Sequence, residues 1–272
     1  MSNALLRILT AVVGAPLLLG LAYLGGWYFG GLVLLLGLWA QHELYEMMGQ
    51  AGLQPWQGFG LLLGAGLGMH PLVPEALPLA LAILLVGLAW SPFARSEKPL
   101  HSLGATVLGA LYPTALLAFL TALRVARGPE VGDVEAFYLT LTVFVLVWAT
   151  DILAYYTGKS LGRHKLAPSV SPKKTWEGSI GGALGALLAA VGLKLTLLPF
   201  LAWPHLVAVA LCCGIVSQLG DLAESRFKRS VGVKDSGTLL PGHGGVLDRF
   251  DAMILAAPLV YLYLTHVARL FQ

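Results

Sequence analysis

The amino-acid sequence predicts an all-α fold, a polytopic integral membrane helical bundle of about nine transmembrane helices. Composition is the first observation behind it: 57% of the 272 residues are hydrophobic and only 11% are charged, against about 25% charged in soluble domains. The mean hydropathy of +0.77 agrees. Interruption is the second observation, since nine apolar runs alternate with polar connections. Clustered charge is the third. Segments 151–177 and 221–251 total 58 residues, yet hold 10 of the 17 Lys and Arg and 7 of the 14 Asp and Glu.

A spanning helix needs about 20 mostly apolar residues, or about 17 at the short end. The runs lie near 8–26, 28–41, 58–73, 76–91, 103–123, 137–157, 178–201, 204–220 and 252–271. The first follows Arg7 as the core of a signal peptide would, but the many later spans favour a retained helix. The third and fourth are short, and "HPLVPE" between them suits either two spans or a re-entrant hairpin. Cys212 and Cys213 are neighbours in an apolar run without metal-ligand spacing, which makes them packing residues. Gly60, Gly64 and Gly68, and Gly178 with Gly182, have a small-xxx-small spacing that serves close packing within one bundle or pairing between copies. The chain divides into 1–135, with about five spans, and 136–272, a C-terminal transmembrane region with polar loops 158–177 and 221–251.

Lys and Arg accumulate on the cytoplasmic side of membrane proteins. With nine spans and an inside N-terminus, Arg7, Arg95, Lys98, Lys159, Arg163, Lys165, Lys173, Lys174, Arg226, Lys228, Arg229, Lys234 and Arg249 fall inside; Arg124, Arg127, Lys194 and Arg269 fall outside. Both charged segments then share the cytoplasmic face. A net charge of +3 argues against nucleic acid as a partner.

Asp221 ends the run "LCCGIVSQLG", and Asp151 sits within "VFVLVWATDILAYYTG". A carboxylate at the centre of a membrane helix costs about 2.5–3.5 kcal/mol, so such groups are paired or functional. On helices Asp221 and Glu224 share a face, as do Asp248 and Asp251. Mg2+ takes one or two carboxylates and leaves room for water and phosphates. Capping of the last helix is the alternative for Asp248 and Asp251; it does not account for Asp221, which ends a helix. In "PGHGG", Gly244 and Gly245 let backbone N–H groups approach an anion, and His243 reads as a general acid, a phosphate contact or a polar loop residue. No second His or Cys stands at transition-metal spacing. Ser171, Lys173, Lys174 and Thr175 precede a helix whose first turn holds Glu177, which suits phosphate oxygens of a nucleotide or of anionic headgroups. Neither a Walker A sequence nor a nucleophile elbow is present. Acids, bases and glycines at a membrane face point to phosphoryl or nucleotidyl transfer onto a lipid. Transport of an anionic solute is the alternative from another class.

The stretch Ser225–Asp251 resembles the signature of the phosphatidate cytidylyltransferases, or CDP-diacylglycerol synthases. Ser225, Phe227, Lys228, Arg229, Lys234, Asp235, Gly237, Leu240, Pro241, His243, Gly244, Gly245, Val246, Asp248, Arg249, Phe250 and Asp251 fill every specified position. "SPKKTWEG" resembles the second motif of that family, whereas the N-terminal spans resemble it only in being apolar. The resemblance implies transfer of CMP from CTP to phosphatidic acid, giving CDP-diacylglycerol and pyrophosphate in phospholipid biosynthesis. It implies a bacterial inner membrane location with a cytoplasmic active site, a homodimer, and Mg2+ alone or with a second cation. Asp221 and Asp248 become the expected metal ligands, with Asp251, Glu224 and Asp151 as weaker ones. Lys173 and Lys174, beside Ser171 and Thr175, are expected on the CTP phosphates; Lys228, Arg229, Lys234 and Arg249 on phosphatidate and the departing pyrophosphate. His243, Gly244 and Gly245 would shape the phosphate loop. A CTP-dependent lipid kinase, releasing CDP, is the neighbouring reading.

Overall fold

The computed structural model describes residues 3–94, 96–237, 239 and 244–272. Among these residues the helices form nine rods, and each apolar run of the sequence falls on one of them. Gly25 and Gly26, at φ of 65° and 46°, separate α1 (Asn3–Leu24) from α2 (Gly26–Gln50); a residue with a Cβ resists that conformation. The next two rods are α3 (Gln57–Met69) and α4 (Ala76–Trp90). The fifth joins α5 (Pro99–Gly109) to α6 (Leu116–Val125) through a π turn, Ala110–Ala115. Pro113 lies in that turn and has no N–H for the ordinary helical ladder, which explains the widening there. Then come α7 (Asp133–Leu161), α8 (Trp176–Thr196), α9 (Trp203–Leu211) continued by a second π turn, Cys212–Val216, into α10 (Ser217–Ser230), and α11 (Leu247–His266).

Among the described residues five stretches are long and apolar enough to cross a membrane: Ala76–Phe93, Pro99–Val125, Asp133–Leu161, Trp176–Thr196 and Trp203–Ser230. The fold is thus a helical bundle of membrane type. At 13 residues α3 is short, reaching about 20 Å at 1.5 Å per residue against a hydrocarbon core about 30 Å thick. α2 turns polar in its second half with Gln41, His42, Glu43 and Glu46, and α11 opens with Asp248, Arg249 and Asp251.

One element departs from the all-α expectation. Between α7 and α8 an antiparallel hairpin pairs β1 (Lys165–Ala167) with β2 (Ser171–Thr175), matching Lys165 with Thr175 and Ala167 with Ser171. Val170 N donates to Ala167 O at 3.1 Å across the turn, with Pro168 at the turn position that favours its fixed φ. The hairpin is too short and too charged for apolar periodicity to reveal it.

The chain forms two compact units, Met1–Ala122 with Phe227–Phe250, and Leu123–Arg226 with Asp251–Gln272. Residues 227–250 of the second charged segment belong to the first unit. Inside the first unit, Gly60 backs onto Tyr45, Gly64 onto Gln41 and Gly68 onto Leu34 and Thr114. Gln41 is fully buried. Its Nε2 donates to Tyr45 OH at 2.8 Å and Gly60 O at 2.6 Å, and its Oε1 accepts from Thr114 Oγ1 at 2.7 Å. Such pairing is what keeps a polar group tolerable in apolar surroundings. In the second unit Gly178, Gly181, Gly182 and Gly185 bring α8 against Ala154, Thr157, Thr150 and Leu153 of α7. Both small-xxx-small stripes are therefore filled within the chain. Cys212 and Cys213 are free thiols, as expected of packing residues.

A Cβ at Gly182 would lie 2.9 Å from Thr150 O, whereas one at Gly192 would meet nothing within 4 Å. Gly182→Val is expected to cost about 1–3 kcal/mol by overpacking and to lower the melting temperature in detergent. Gly192→Ala is expected to leave that temperature unchanged or slightly raised.

Candidate active site

The second unit builds its polar site on the hairpin. Thr175 caps α8, its Oγ1 accepting from Gly178 N at 3.2 Å. One residue past the helix start, Glu177 accepts from Arg163 N at 3.1 Å and bonds His164 Nδ1 at 2.6 Å. Trp176 N donates to His164 O at 2.9 Å. These bonds pin the base of the hairpin to α8, and β2 then carries Lys173 and Lys174.

Asp221 arrives from α10. Gln218, three residues earlier, ties that helix down by donating to Ser179 O at 3.0 Å and Gly214 O at 2.6 Å. Lys174 Nζ lies 2.6 Å from Asp221 Oδ2, and Ser225 Oγ donates to Asp221 Oδ1 at 3.3 Å. Lys174, Gln218 and Asp221 border a cavity of about 560 Å³ lined also by Asp151, Tyr155, Lys159 and Lys173. Its size falls in the range typical of small-molecule sites, about 300–1,000 Å³. The Lys173 side chain makes no ion pair or hydrogen bond among the described residues. Thr175 lines the cavity as well as capping, while Ser171 is half-buried on β2 outside the lining. Glu224 is fully buried and Asp251 is half-buried, its Oδ1 accepting from Ala252 N at 2.7 Å; neither lines the cavity.

The first unit holds a second cluster, in the signature stretch. Asp248 accepts from Lys228 Nζ at 2.7 Å, Ser236 N at 3.0 Å and Gly245 N at 2.8 Å. Its side chain is 5% exposed and that of Lys228 11%. Gly244 has φ 82°, and a Cβ there would meet the Asp248 carboxylate at 2.5 Å. Arg229 donates to Val233 O at 3.0 Å from an exposed position. Lys234 and Arg249 are exposed and make no ion pair among the described residues. His243 lies outside the described residues, as do Leu240, Pro241 and Gly242.

Each of the two acids first expected to hold metal thus carries a lysine, Lys174 on Asp221 and Lys228 on Asp248. An ammonium group bound to a carboxylate occupies the position that a metal cation would take. Among the described residues no group of three or more His, Cys, Asp or Glu is arranged to hold an ion. Mg2+ needs fewer, one or two carboxylates with the rest supplied by water and phosphate. Asp221 with Asp151 on one cavity meets that requirement.

Glu43 was missed by the sequence reading. It accepts from Val246 N at 2.9 Å, Leu247 N at 2.9 Å and Ser236 Oγ at 3.0 Å. The available signal was "QHELYE" closing the second apolar run, where polar residues interrupt hydrocarbon.

The sequence model of the Cytidylyltransferase family matches residues 5–267. A phosphatidate cytidylyltransferase of a Synechocystis species is 36% identical, with 94% of this chain and 95% of the relative aligned. Another from Brucella abortus is 38% identical over 97% of this chain and 94% of its own length. A third, from Bacillus subtilis, is 34% identical over 95% and 96%. A family match across nearly the whole length, on a chain whose conspicuous acids and lysines gather in two clusters, leaves one conclusion: this chain belongs to the Cytidylyltransferase family.

Proposed function

We propose that the chain is a phosphatidate cytidylyltransferase, which transfers CMP from CTP to phosphatidic acid and releases pyrophosphate. In this reading it works with Mg2+ on the cytoplasmic face of a bacterial inner membrane. The observation that carries it is the cavity where Lys159, Lys173 and Lys174 stand beside Asp151 and Asp221. Cations suit a triphosphate, and carboxylates suit the hard ion that accompanies one. The names of the curated relatives support phosphatidate as the acceptor.

An oxygen of the phosphatidate phosphate attacks the α phosphorus of CTP and forms a new P–O bond. The bond from that phosphorus to the β-bridging oxygen breaks, and pyrophosphate leaves with its electron pair. The attacking oxygen is already anionic, so the chain needs neither a nucleophile of its own nor a base. Lys173, without a competing ion pair among the described residues, takes the triphosphate. Lys174 exchanges Asp221 for a phosphate oxygen, which frees the Asp221 carboxylate, with Asp151, to hold Mg2+. When bound, that ion neutralises developing phosphate charge. Lys228 and Asp248 act as a second such pair, able to accept another cation, and Asp251 and Glu224 are the weaker candidates for a metal. Lys234, Arg249 and Arg229 are exposed and are the proposed contacts of the lipid phosphate and of pyrophosphate. A homodimer would pair through surfaces other than the two glycine stripes, which are filled.

Purified protein in detergent is expected to release pyrophosphate only when CTP and phosphatidate are both present. Chelation with EDTA should stop it and added Mg2+ restore it; CDP as the product would instead establish a lipid kinase. Asp221→Asn is expected to lower kcat by about 100-fold or more, the scale for losing a preorganised electrostatic group. Lys173→Met should act mainly by raising KM for CTP, about tenfold, because it removes a contact made before and during the reaction. Unchanged kinetics in both variants would refute the assignment of this cavity.

A further inference from the structure

Glu43 belongs to a stretch with no evident share in the chemistry, and the residue is 5% exposed in the first unit. Its oxygens are fully used. Oε1 accepts from Val246 N at 2.9 Å; Oε2 accepts from Leu247 N at 2.9 Å and from Ser236 Oγ at 3.0 Å. The partners lie 193 to 204 residues away in sequence.

Two of those donors belong to the start of α11, where the first N–H groups have no partner inside the helix. A carboxylate facing them is favourable for its hydrogen bonds and for the helix dipole. Ordinarily a cap comes from the chain just before the helix; here it comes from α2. The same backbone also serves Asp248, which takes Ser236 N and Gly245 N. Two carboxylates therefore clasp the same two short segments, Glu43 through Ser236 Oγ and the N–H groups of 246 and 247, Asp248 through the N–H groups of 236 and 245. Gly237 and Gly245 complete the fit. A Cβ at Gly237 would stand 2.5 Å from Glu43 Oε1, and one at Gly245 would collide with Glu43 Oε2 and Ser236 Oγ. Those two glycines of the signature leave room for this carboxylate.

We propose that Glu43 is a positioning residue for the transfer reaction: it ties Ser236 to the start of α11 so that Asp248 and its partner Lys228 are set for phosphate chemistry. The proposal rests on the cytidylyltransferase reading above. Glu43 touches no substrate in this scheme and acts through the loop. Gln at 43 keeps the size but replaces one acceptor oxygen by an amide donor, so one donor loses its partner if Oε1 is replaced and two if Oε2 is.

The test uses the full-length chain in detergent, with steady-state kinetics and backbone hydrogen exchange on the same preparations. Glu43→Gln is expected to lower kcat by about 10- to 100-fold, the range for supporting partners of a reactive site, with KM for CTP changed less than threefold. The amides of 245–247 should exchange at least about tenfold faster, while those in the middle of α7 and α8 stay as in the wild type. Ser236→Ala removes one donor and leaves the two backbone bonds; it should give a several-fold loss in kcat in a protein that melts as the wild type does. A kcat within twofold of the wild type for Glu43→Gln overturns the proposal. So does uniform loss of protection in α7 and α8, which would make Glu43 a residue of general stability. Wild-type protein that consumes no CTP overturns the cytidylyltransferase reading alone, and exchange at 245–247 still decides whether Glu43 holds the loop.

Discussion

A charge beside hydrocarbon must be matched, and this constraint shapes the buried acids and bases that the structure pairs. Removing one partner of a buried pair leaves the other stranded, at a cost of about 3–5 kcal/mol. Asp248 and Lys228 satisfy the constraint together, as do Asp221 and Lys174 nearer to solvent. Arg124, 1% exposed, meets it through both Asp133 oxygens, at 2.9 and 3.1 Å. Pairing of this kind stabilises the resting protein, and in the proposed mechanism it also keeps the reactive groups occupied until phosphates arrive to replace them. An empty site of bare carboxylates would be harder to hold together in such surroundings.

The sequence made the rods legible because hydrocarbon thickness fixes a length and burial fixes a composition. It also made Lys173, Lys174, Asp221 and Asp248 legible, since ionised residues are rare enough in this chain to stand out. What it did not disclose was pairing. The acids and bases read as separate groups, one for metal and one for phosphates, whereas Lys174 and Lys228 each lie on one of the acids. Contacts between residues so far apart in sequence have no local signature. Glu43 illustrates the same limit, because an acid at the end of an apolar run looks like an ordinary boundary residue until its partners some 200 positions later are known.

The hairpin was hidden for a different reason. Strands of three and five residues cannot display a convincing alternation, and hydropathy windows suited to membrane helices average them away. Yet it is the hairpin that presents Lys173 and Lys174, two of the three lysines of the cavity. Its attachment to α8 through Glu177, His164 and Trp176 is built from bonds between residues about a dozen positions apart, a scale between the helical repeat and the whole fold.

The π turn at Cys212–Val216 has a consequence of its own. A helix of 3.6 residues per turn rotates by about 100° at each residue, so one widened turn offsets the angular phase of everything after it by about that much. Gln218 and Asp221 follow within nine residues of its start. The direction in which Asp221 faces is therefore set by five uncharged residues, "CCGIV", that look interchangeable with any other membrane filler. Their number in the chain carries information that their chemistry does not, and a hydropathy profile would register neither the gain nor the loss of one of them.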